Sequence, residues 1–92
     1  MKKINISPFV NKEGKIVQIP VPLRKKAAVL AYLAEKFEEN KMYSEKEVNK
    51  IIDCWHTFGD YFILRRLLVD YNFLGRKPDG TAYWVTGPGG ER

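Results

Sequence analysis

The segment Tyr61 to Asn72, YFILRRLLVDYN, places the tightest limit on how this chain can fold. Apart from Arg65, Arg66, Asp70 and Asn72, it is apolar or aromatic on nearly every side of a helix. Tyr61, Leu64, Leu68 and Tyr71 share one face at helical spacing, which leaves Phe62, Ile63, Leu67 and Val69 over. Such a helix either stands at the centre of the fold or offers apolar surface to a partner. In a chain of 92 residues, a length that suits one domain, the other elements must gather around it.

The segments before it carry their own start and stop signals. Asp60 is an N-cap for this third helix. Ser44-Glu45-Lys46-Glu47 is a capping box, with Tyr43 and Val48 where a hydrophobic staple stands. Val48, Ile51, Ile52 and Trp55 mark the buried face of a second helix that ends near His56, before the short link Thr57-Phe58-Gly59. A first helix is expected from Leu23 to about Glu39, with Leu23, Ala27, Leu30, Ala34 and Phe37 on its stripe, Leu33 widening it and Asn40 as C-cap. Leu30, Phe37, Ile52, Trp55, Leu64 and Leu68 form the expected core.

After the third helix, residues 73–77 and 81–86 read as two strands around Pro78-Asp79-Gly80. Proline sets φ at the first central position and glycine takes the left-handed one. Ahead of the first helix, residues 1–22 read as an arm with a short strand at 16–19, set off by the turn signal Asn11-Lys12-Glu13-Gly14. Residues 87–92 read as a flexible tail. Arm, helix, helix, short turn, helix and hairpin is the order of a winged helix-turn-helix, mainly α with a small β-hairpin, over residues 23–86. A plain three-helix bundle carrying a hairpin is the alternative.

Composition narrows the class. Sixteen Lys and Arg against eleven Asp and Glu give a net charge of +5, which favours polyanions. The lone Cys54 excludes an intrachain disulfide, and no apolar run approaches a membrane span, so a cytoplasmic protein is expected. Met1-Lys2-Lys3 is no leader, since no apolar stretch follows it.

Phe9, Gly14, Ile19-Pro20, Arg24-Lys25-Lys26, Leu30, Leu33 and Phe37 open a longer pattern. It continues with Tyr43, Glu45, Glu47-Val48-Asn49, Asp60, Leu64-Arg65-Arg66, Leu68-Val69-Asp70, Leu74, Arg76, Gly80 and Tyr83-Trp84. In this combination, over residues 9–85, the chain resembles a prokaryotic family that carries only a domain-of-unknown-function label. Members of that family occur alone or attached to bacterial transcriptional regulators. The resemblance implies a regulatory setting but no activity, cofactor or binding residue. Leu67 departs from it, because the family pattern has an acidic residue directly after the Arg pair.

Among individual residues, Arg66 points outward on the third helix and is the better candidate for DNA, since a guanidinium forks onto guanine or phosphate. Arg65 lies beside the apolar face and is expected to pair with a carboxylate or carbonyl. Arg76 and Lys77 before the hairpin turn, and Lys46 and Lys50 on the second helix, suit phosphate contacts; solvated surface accounts for them equally well. Phe62, Ile63 and Leu67 are the candidate partner interface. Asn49 is expected to hydrogen-bond near the turn before the third helix. Cys54 and His56, two residues apart on a helix, do not face each other and fall short of the four ligands of a structural zinc site. Ser44 is used by its cap. No phosphate loop or dinucleotide fingerprint is present. The sequence thus argues against an enzyme, a cofactor, a metal and a small-molecule substrate. It leaves two functions open: a DNA-binding transcriptional regulator, or a protein-interaction or homodimerisation module on the same scaffold.

Overall fold

The computed structural model describes residues 4–86, so the expected flexible tail at 87–92 lies outside the described residues. A 3-10 turn at Ser7–Phe9 precedes helices α1 (Leu23–Ala34), α2 (Glu45–Cys54) and α3 (Tyr61–Asp70). Strands β1 (Leu74–Arg76) and β2 (Tyr83–Val85) follow as an antiparallel hairpin, with Gly75 opposite Trp84. The fold is mainly helical with a small β component, in the order the sequence predicts. None of the described helices is long and apolar enough to cross a membrane.

Local chemistry places most boundaries. The Glu47 N–H donates to Ser44 Oγ at 3.1 Å and the Ser44 N–H to Glu47 Oε1 at 2.8 Å, completing the capping box. Asp60 Oδ1 accepts from the Ile63 N–H at 3.2 Å and opens α3. Two residues earlier than expected, α3 stops at Asp70. There Asn72 turns left-handed at φ 64°, and the Phe73 N–H closes back onto the Leu68 carbonyl at 2.8 Å.

Helix α1 is shorter than its periodicity suggests, ending at Ala34 rather than near Glu39. The chain then tightens, with Lys36 N–H on Leu33 O and Phe37 N–H on Ala34 O. This brings the Phe37 ring edge-on to Tyr43, centroids 5.3 Å apart, while the Tyr43 hydroxyl accepts from the Glu38 N–H at 2.8 Å. Asn40 is left-handed at φ 61° but lies in the following turn, beyond the helix end. The buried stripe is also rotated: Val29, Leu30, Leu33 and Ala34 face the core, whereas Leu23 is 65% exposed at the helix start.

Leu64 and Leu68 of α3 are fully buried among Ile16, Val29, Leu30, Leu33, Val48, Ile52 and Leu74. Five of the six expected core residues are therefore inside. Trp55 is half-buried, because it follows the last turn of α2 and its outer ring face meets the Lys36 ammonium at 4.2 Å. The arm also joins the core. Ile16 donates to the Trp55 carbonyl at 2.8 Å and accepts from the Thr57 N–H at 3.0 Å, forming bridges in place of the expected strand. Its preceding turn is set by Gly14 at φ 81°, whose carbonyl takes the Tyr32 hydroxyl at 2.6 Å.

The hairpin is tied to the helices by a second pairing. Tyr43, in the link between α1 and α2, exchanges two backbone hydrogen bonds of 2.8 Å with Tyr83. Tyr83 thus stands between Arg76 on one side and Tyr43 on the other.

Candidate functional site

A groove of about 340 Å³ runs between α3 and the hairpin. Phe62, Arg65, Arg66, Val69 and Asp70 supply one wall, and Arg76 and Tyr83 the other. Helical geometry explains the first wall. Leu64 and Leu68 turn inward, and the residues about a quarter-turn away, starting with Arg65 and Val69, face the hairpin. The second wall follows from strand register, because the pair Arg76 and Tyr83 closes the open end of the ladder.

The three arginines differ in role. Arg65 is largely buried, its side chain 13% exposed, and its guanidinium lies 3.2 Å from the Glu45 carboxylate. The same guanidinium donates to Asn49 Oδ1, so Asn49 serves α3 directly rather than the turn before it. The Arg65 head group also lies 5.2 Å from the Phe62 ring centroid. Arg66 is 70% exposed, with only the exposed Asp70 as ion-pair partner, at 3.7 Å. For Arg76, no carboxylate among the described residues lies within ion-pair distance. Arg66 and Arg76 therefore bring two accessible cations into one groove.

The other basic candidates lie elsewhere. Lys50 borders a separate groove of about 290 Å³ with Lys41, Tyr43, Glu47, Ile51 and Cys54. Lys46 is exposed on α2, and Lys77 is exposed beside the hairpin turn. Helix α2 and the α3–hairpin groove thus present no single positive wall built from all five residues. Of the candidate interface residues, Phe62 is 57% and Ile63 41% exposed, while Leu67 packs in part against the core. Phe62 belongs to the arginine groove. That placement, and the parts played by Val69 and Tyr83, has no local sequence signal, since the groove depends on how the hairpin folds back over α3.

Cys54 and His56 part company. Cys54 is exposed on α2, whereas His56 is buried at 4% exposure with both ring nitrogens engaged. At the hairpin tip, the Asp79 carboxylate accepts from the Thr81 hydroxyl at 2.7 Å and the Thr81 N–H at 3.0 Å. These bonds, led by the hydroxyl and aided by the Lys77 charge, hold its carboxyl below the ordinary value.

Comparison with curated proteins and with solved structures brings no match. A family model described as an uncharacterized protein conserved in bacteria matches residues 15–85, the arm's core residue Ile16 and every helix and strand included. The chain belongs to this bacterial family, DUF2087.

Proposed function

We propose that this domain binds duplex DNA as a regulatory winged-helix module, with α3 as the helix that enters the major groove and the hairpin as the wing. The convergence of Arg66 and Arg76 in one groove carries this reading. One cation comes from the helix and one from the wing, both accessible, in a protein of net charge +5. In winged-helix docking the helix meets base edges while flanking elements grip phosphates. The pairing of Tyr43 with β2 supports the same layout, as it adds a minimal third strand beside the wing.

The test is a fluorescence-anisotropy titration of the protein against random-sequence duplex at two salt concentrations. Affinity should fall as salt rises, with a logarithmic slope of about 0.9 per phosphate neutralised. The double variant Arg66→Ala, Arg76→Ala should bind more weakly and lower that slope by about 2. Dissociation weaker than about millimolar at low salt removes the DNA reading.

A second reading is favoured by one observation, the exposure of Phe62 at 57% and Ile63 at 41%. In that reading this side of α3, with Leu67 beneath, is a protein-interaction or homodimer face. Sedimentation equilibrium separates the two: self-association without DNA affinity leaves the interaction module.

A further inference from the structure

Phe62 is the second residue of α3 and sits one helical turn before Arg66 on the same side. Its ring is more than half exposed, yet it lies in a groove rimmed by Arg66 and Arg76. Whatever covers that ring must therefore present an apolar group within a field of negative charge. The ring is also held in place from behind. Arg65 lies 5.2 Å from its centroid and is itself fixed by Glu45 and Asn49 on α2. A contact made by Phe62 thus costs little side-chain ordering.

Major-groove base edges are polar except at one place, the 5-methyl group of thymine. The first residues of an inserted helix are the ones that meet base edges. Asp70 sets the direction of approach. Its carboxylate repels phosphate at the far end of the same face, so the duplex must engage the half of α3 that carries Phe62. We infer that Phe62 reads thymine, its ring packed on the 5-methyl group while Arg66 and Arg76 hold the flanking phosphates. This rests on the DNA reading above and adds the base that the site prefers.

The experiment compares two duplexes of about 20 base pairs of alternating A·T sequence, identical except that one carries thymine and the other deoxyuridine. The full chain should bind the uracil duplex about fourfold more weakly for each methyl group it contacts. Phe62→Ala should bind both duplexes equally and keep the wild-type salt slope, because a phenyl ring releases no counterions. Phe62→Leu keeps an apolar side chain and should retain most of the preference, which guards against an effect of altered folding. Equal binding of the two duplexes by the wild-type chain overturns the inference, as does a thymine preference that survives in Phe62→Ala. Failure to bind either duplex overturns the DNA reading itself, and is distinguishable from binding without discrimination.

Discussion

Asp60 donates its backbone N–H to Nε2 of His56 at 2.8 Å, and this bond joins the end of α2 to the start of α3. On its other side the ring donates from Nδ1 to the Ile52 carbonyl at 2.8 Å, so its partners fix the neutral tautomer with hydrogen on Nδ1. The Phe58 ring meets it edge-on at 4.7 Å. His56→Phe keeps the ring volume but orphans the Asp60 N–H, and should cost about 1–3 kcal/mol in urea unfolding. His56→Ala should cost more, since it adds a cavity. A wild-type midpoint for His56→Phe would show that something else sets the angle between the helices.

Gly75 has no room for a side chain. A Cβ there would stand 2.5 Å from the Trp84 indole, which lies across the ladder on Gly75. Gly75→Ala must push the indole aside and should destabilise the protein by about 1–3 kcal/mol. Thermal unfolding together with a change in tryptophan emission checks this. An alanine variant with unchanged emission and melting temperature would mean that the indole does not cover the glycine.

Arg65 and Arg66 are neighbours with opposite expected phenotypes. Arg65→Ala removes the partner of Glu45 and Asn49 in a largely buried setting and should cost about 1–3 kcal/mol of stability. Arg66→Ala gives up only an exposed pair and should stay within about 0.5 kcal/mol of wild type, while weakening DNA binding. Denaturation and DNA titration run on both variants decide the matter. The reverse ranking in stability would overturn the assignment of roles.

Asp79 gives the hairpin tip a pH dependence of known sign. Its carboxyl sits below its ordinary value, chiefly through the Thr81 hydroxyl bond. A depressed folded value means that the contribution is fully present above the unfolded pKa. It is lost as pH falls through the folded one. The turn should therefore stay intact at neutral pH and loosen only in acid below the usual aspartate range. An NMR titration of the Asp79 carboxyl carbon reads this directly, and a midpoint at or above the ordinary value would contradict it. Thr81→Val should move the midpoint upward.

The parts of the fold legible in sequence are those decided by chemistry within a few residues. Ser44 and Glu47, Asp60, and Pro78 to Gly80 each carry their own geometry, and the structure places a cap or turn at each. The end of α1 was not legible, because it is set by Phe37 reaching Tyr43 across a turn. Asn49 shows the same limit: its burial was readable, but its partner is a side chain on the next helix. The arginine groove lies further from local sequence still. Nothing near Arg76 indicates that it will stand opposite Arg66, since that follows from the hairpin folding back over α3. Phe62, Ile63 and Leu67 look equivalent in sequence, yet packing sends Leu67 toward the core and Phe62 into the groove.

The pairing of Tyr43 with Tyr83 also has a consequence in time. The hairpin of β1 and β2 is closed by a short turn and can form early, but its third partner lies on the far side of two helices in the chain. That contact closes a long loop, so the sheet cannot be completed until α2 and α3 have docked. Once made, it turns a marginal two-stranded ribbon into part of the cooperative unit. The Tyr43 and Tyr83 amides should then exchange with solvent only on global unfolding, while those at the hairpin tip exchange through local fraying. The wing thus has a mobile tip on a base as durable as the core.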